Sequence, residues 1–185
     1  MKKNLLFILL PLFILNCKND SNENQKEVAL IDKTKTEYTE ASDIQSLPFD
    51  VVDFDGLKPY LNKKDDNVYV INFWATWCAP CVKELPYFEQ LNKNYKSQNV
   101  EVILVSLDFP KQYQKKLMPF IKQKNLQSKV IALNDVDQDR WINGINENWS
   151  GAIPATLIYN KNKSDFYEKS FSYKELENKV KTFLN

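Results

Sequence analysis

Cys78 and Cys81 are separated by two residues in the string Phe73-Trp74-Ala75-Thr76-Trp77-Cys78-Ala79-Pro80-Cys81. Thiols so spaced can close a small disulfide ring or form half of a zinc knuckle. A knuckle needs four ligands, and the chain has three cysteines and no histidine. No metal site is therefore expected, and the pair reads as a dithiol that is made and broken. The missing histidine also excludes His-based triads and an imidazole that tunes a thiol.

The elements that position this pair are visible on either side of it. Val68 to Phe73 is a nearly continuous apolar run, as expected of a central strand covered on both faces. A helix is expected from about Ala79 to Tyr95, with Val82, Leu85, Phe88, Leu91 and Tyr95 as its buried stripe and Pro86 as a kink. Cys78 then stands at the helix start, against unpaired backbone N–H groups and the positive end of the dipole. Both favour thiolate, the attacking species. Pro80 suits the first turn, where a missing N–H costs nothing. Cys78, at the exposed end, is expected to attack, and Cys81, a turn deeper, to resolve the mixed disulfide.

The rest of the chain alternates as an α/β domain does. Phe49 to Phe54 reads as a first strand ended by Asp55-Gly56, and Val100 to Leu107 as a second buried strand. A helical stretch from Lys111 to about Lys124 is interrupted by Pro119. A short strand, Lys129 to Leu133, and a short helix, Asp137 to Ile145, follow. Ala155 to Tyr159 and Ser164 to Lys169 suggest a hairpin around a solvated Lys161-Asn162-Lys163 turn. Ser172 and Glu175 have capping-box spacing and open a closing helix with Tyr173, Leu176, Val180, Phe183 and Leu184 inside. A chain of 185 residues fits one such domain, 46–185, plus appendages. The net charge of +1 predicts no nucleic-acid surface. Three glycines and no GxGxxG speak against a flavin or nicotinamide site, so no cofactor is expected.

Lys2 and Lys3 precede an apolar run, Leu5 to Leu15, broken only by Pro11. The run is too short to span a membrane and matches a secretory signal. It ends in Ile14-Leu15-Asn16-Cys17, which resembles the lipobox of bacterial lipoproteins, although Asn16 stands where a small residue is preferred. Residues 1–16 are read as a signal peptide, and 17–45 as a lipidated Cys17 followed by a polar tether of roughly 30 Å r.m.s. span. The alternative is an ordinary export signal with a chance cysteine. With Cys17 assigned to lipid, Cys78 and Cys81 are left as one pair.

The Phe-Trp-Ala-Thr-Trp-Cys-Ala-Pro-Cys string and the element order resemble the thioredoxin superfamily, specifically its TlpA/ResA-type extracytoplasmic reductases, over residues 46–185. The resemblance implies an α/β thioredoxin-like fold, a mixed central sheet flanked by helices. It also makes Ile153-Pro154 similar to the cis-proline loop that faces the dithiol, and implies that Trp77, Ala79, Pro80, Ile153 and Pro154 border the substrate. Asn72 stands where thioredoxins carry a buried acid. Glu84 matches an acidic residue of the ResA-type proteins and implies proton relay to Cys81; the plainer reading is an acid that complements the helix dipole. Trp74, Trp77 and Trp149 are candidates for an apolar rim, while Trp149 and Trp141 suit a core equally well.

The function so implied is reduction of disulfides in exported proteins, apocytochromes c being substrates of relatives. A membrane-embedded thiol carrier would supply the electrons, with the chain held to the cell envelope, outside the cytoplasm, by its lipid anchor. The alternatives are an oxidant or isomerase on the same fold, or a non-enzymatic Cu(I)-binding lipoprotein. Strong oxidants of the superfamily place His within the CxxC, and Ala79-Pro80 has none, which argues for a lower potential. Copper chaperones on this fold use CxxxC with a distant His, and peroxiredoxins a PxxxTxxC string; the chain has neither.

Overall fold

The structure, a computed structural model, describes residues 47–184, so the expected signal peptide, Cys17 and the tether to residue 45 lie outside the described residues. The first strand is shorter than the apolar pattern suggests: β1 spans Asp50–Val52. Asp53 ends it, because its carboxylate accepts a 2.9 Å hydrogen bond from the Gly56 N–H and caps a short helix, α1, Phe54–Leu57. Phe54 therefore opens a helix instead of closing a strand.

β2 (Val68–Trp74), α2 (Ala79–Tyr95) and β3 (Val100–Ser106) follow as expected. α2 carries Pro86 in its interior and runs on through it. Its buried stripe is Cys81, Glu84, Leu85, Phe88, Leu91 and Tyr95, with Val82 only half-buried. The lysine-rich stretch divides into a 3₁₀ turn, Pro110–Gln112, a π-helical turn, Tyr113–Leu117, and α3, Met118–Lys124. Pro119 falls in the first turn of α3, where its missing N–H has no partner to lose. The stretch thus divides next to Pro119, as the interruption by that proline leads one to expect, and the proline opens the second piece. β4 (Lys129–Leu133), α4 (Gln138–Ile145, capped by Asp137), β5 (Ala155–Tyr159), β6 (Ser164–Tyr167) and α5 (Tyr173–Lys181) complete the domain. Ser172 and Glu175 form the expected capping box at the start of α5.

The six strands form one sheet in the order β1-β4-β3-β2-β5-β6. β1, β4, β3 and β2 are parallel, and β5 and β6 add an antiparallel pair beside β2. β2 is thus central and buried along its whole length. Successive side chains point to opposite faces of a strand, and β2 divides its residues accordingly. Val68, Val70 and Trp74 pack with Leu85, Phe88 and Leu91 of α2 and Leu176 and Val180 of α5. Tyr69, Ile71 and Phe73 pack on the other face with Phe54, Trp141 and Trp149. This parity places Asn72, fully buried, on the α2 face.

Candidate active site

The parallel strands β2 and β3 end side by side, with Trp74 in register with Ser106, and the loops that follow them build the site. Cys78 is the N-cap of α2 in extended backbone (φ −91°, ψ 98°), and its sulfur accepts a 3.3 Å hydrogen bond from the Cys81 N–H. Cys78 and Cys81 are joined as a disulfide with their Cα atoms 5.3 Å apart. Cys81 is fully buried and Cys78 is 6% exposed, so Cys78 is the more accessible of the two. Ala79 and Pro80, the first helical residues, are exposed beside it.

The Ile153–Pro154 peptide bond is cis. The Ile153 carbonyl oxygen lies 3.7 Å from the Cys78 sulfur, so this loop and the dithiol form one surface. Trp77, 58% exposed, flanks Cys78 on the outside. Trp74 and Trp149 do not belong to that rim. Trp74 is fully buried against Phe120, and Trp149 is enclosed by Phe73, Trp141 and Phe166. An inward position on β2 claims the first ring; the second also donates its indole N–H to the Ala152 carbonyl, which draws it inward.

Glu84 is 1% exposed, away from the solvent where an acid that merely complements a helix dipole would sit. One carboxylate oxygen accepts a 2.7 Å hydrogen bond from the Phe171 N–H and the other a 3.1 Å bond from the Asn72 amide. That amide also reaches Thr156, its register partner on β5, at 3.2 Å. Burial pushes the Glu84 carboxyl up to about 7, against the two hydrogen bonds, which favour the anion. A carboxyl that exchanges its proton near neutrality thus lies one helical turn from Cys81. Asn72 of β2 thus holds a buried acid that is supplied by the helix.

A clamp on the loop between Trp74 and Cys78 escaped the sequence reading. Asp108 is buried; one oxygen accepts from the Thr76 N–H at 3.0 Å and the Ser106 hydroxyl at 2.9 Å, the other from the Thr76 hydroxyl. The signal for it was weak but present: Thr76 and Asp108 each follow the end of one of two adjacent parallel strands by two residues. Asp108→Ala leaves the half-buried Thr76 donors and the buried Ser106 hydroxyl without an acceptor, and should cost about 2–3 kcal/mol of stability in urea unfolding. Asp108→Asn keeps one acceptor oxygen and should cost about half as much.

A sequence model of the AhpC/TSA family matches residues 45–164. The chain belongs to the AhpC/TSA family. Among curated relatives, it is 35% identical over 92 residues to the thiol-disulfide oxidoreductase ResA of Geobacillus kaustophilus, covering 50% of this chain and 48% of that one. With ResA of Bacillus cereus the identity is 32% over 113 residues, covering 61% of this chain and 60% of the relative. The chain therefore spans about half of the first relative's length and under two thirds of the second's. Among solved structures, a thioredoxin-family thiol:disulfide interchange protein from Chlorobium tepidum superposes with a TM-score of 0.56 at 22% identity, over 72% of this chain and 91% of that one. The fold is thioredoxin-like: a mixed six-stranded sheet flanked by helices, in a single domain.

Proposed function

We propose that this AhpC/TSA-family chain is a thiol:disulfide oxidoreductase that reduces disulfides of exported proteins. The observation that carries the reading is the Cys78–Cys81 disulfide at the start of α2, its outer sulfur set against the Ile153 carbonyl. In the reduced pair the Cys78 thiolate attacks one sulfur of a partner disulfide, and the other partner sulfur leaves and takes a proton. Cys81 then loses its proton and attacks the Cys78 sulfur, which releases the second partner thiol. Two electrons have passed to the partner, and the pair is again a disulfide.

An exported reductase works where thiols are kept oxidised, so its dithiol needs a donor. A membrane-embedded thiol carrier fills that role. A lipid on Cys17 and a polar tether over residues 18–45 would hold the domain near it. The ResA relatives are named for the same chemistry, which supports the reaction class; the reductive direction and the anchor rest on the reading of the sequence. The test is to trap the thiol state of Cys78 and Cys81 in cells by alkylation. A largely reduced pair that becomes oxidised when the membrane carrier is deleted is expected. A pair fully oxidised whatever the carrier's state would favour the reverse, oxidising, direction.

A further inference from the structure

A groove of about 540 Å³ opens beside the dithiol, between the Trp77 loop, the loop after β3 and the turns leading into α3. Two of the large exposed apolar side chains in the described structure border it: Trp77 at 58% and Phe109 at 63% exposure. Phe120 lines it deeper in, its ring tilted against that of Trp74. Lys115 and Lys116 line it as well, both exposed, and among the described residues neither forms an ion pair with a carboxylate. The acid in its wall, Asp108, is buried, with its oxygens engaged by Thr76 and Ser106. The groove thus offers an aromatic lining and two unpaired ammonium groups, directly next to the residue that precedes Cys78.

We propose that this groove receives the segment flanking the partner's cysteine, and that it selects segments with an apolar side chain and a nearby Asp or Glu. The proposal rests on the oxidoreductase reading and names the substrate class for that site. With the partner sulfur at Cys78, residues a few positions away in the same segment reach Trp77 and then Lys115 and Lys116. Aromatic rings with exposed faces take an apolar side chain, and like charges near two free ammonium groups are rejected. Single π-helical turns are rare and are frequent at functional sites; here one carries the two lysines.

The test uses the full chain in reduced form and peptides bearing one cysteine blocked by a small reporter thiol. The peptides share a leucine beside the cysteine and differ only in a neighbouring Glu or Lys. Two exposed charge contacts should favour the acidic peptide about three- to ten-fold, and less at high salt. Lys115→Glu with Lys116→Glu should invert that ratio. Because both rates are measured on the same variant, any change in the reactivity of Cys78 itself cancels. Replacing the peptide's leucine with serine should slow wild-type reduction several-fold. An uncharged small disulfide is the control for the parent reading. If the wild-type chain reduces it but treats both peptides alike, and the double variant does the same, the groove assignment is overturned and the oxidoreductase reading stands. If the wild-type chain does not reduce even the small disulfide, both fall. A peptide rate that drops as the chain's own concentration rises would put a second copy in the groove, and would also overturn the assignment.

Discussion

Cys81→Ser is expected to leave a chain that captures partner disulfides through Cys78 and does not let them go. The reason is access. The Cys78 sulfur caps α2 at the surface, next to the Ile153 carbonyl, while Cys81 is fully buried a turn below. On the proposed mechanism a partner meets Cys78, the more accessible of the two, and Cys81 displaces it. Without the Cys81 thiol the mixed disulfide has no internal route to resolution, so it should accumulate to about one per chain. Cys78→Ser removes the attacking thiolate and should lower reduction of a disulfide substrate by on the order of a thousand-fold or more, as loss of a nucleophile does. Intact-mass measurement after alkylation, with each variant mixed with a disulfide peptide, checks both. Trapping by Cys78→Ser and none by Cys81→Ser would reverse the roles.

The parts of this site that could be read along the chain are those that are local. The apolar run of β2, the two-residue cysteine spacing and the proline at the start of α2 lie within 30 residues, and each obeys a rule of one element. The cap at Asp53 was hidden because Phe49 to Phe54 carries an apolar pattern that a strand would also show. A side-chain bond to the Gly56 N–H decides it instead. Of the rim candidates, Trp77 directly precedes Cys78, and strand parity removes Trp74, which is the last residue of β2 on the α2 face. The same parity puts Asn72 on the face of α2. Its contact with Glu84 therefore lay in the alternation of the strand, but only once the helix was known to cover that face. The Phe171 N–H that completes the Glu84 site comes from 87 residues away, and no periodicity points to it. Asp108 and Thr76 meet for a similar reason, across the ends of two strands whose adjacency is a property of the sheet.

Glu84→Gln should make the protein more stable above neutral pH and slower at its second chemical step. The carboxyl gives up its proton near 4.5 when solvated and near 7 in the fold, chiefly because it is buried. Between those values the folded chain keeps a proton that the unfolded chain has shed. Stability therefore falls as pH rises through this window: the neutral carboxyl's contribution is whole below about 4.5 and gone above about 7, a difference of up to about 3 kcal/mol. The amide of Glu84→Gln has no proton to lose, so this slope should vanish from urea unfolding measured between pH 5 and 8. The site can take the amide: its oxygen can accept from Phe171, and its NH₂ faces Asn72, whose own side-chain oxygen is buried without a partner among the described residues. Catalysis should move the other way. Cys81 must lose a proton before it can displace the partner, and a neighbouring carboxyl that titrates near 7 can take it. Loss of such a base should slow release of the partner thiol by on the order of a hundred-fold and erase the inflection near pH 7 in its rate. Quenching the reaction with acid and separating mixed disulfide from product measures that rate directly. A wild-type pH profile retained by the variant would leave Glu84 a buried structural acid. A variant that is both more stable and slower cannot owe its slowness to a damaged fold, so the two measurements together separate the roles.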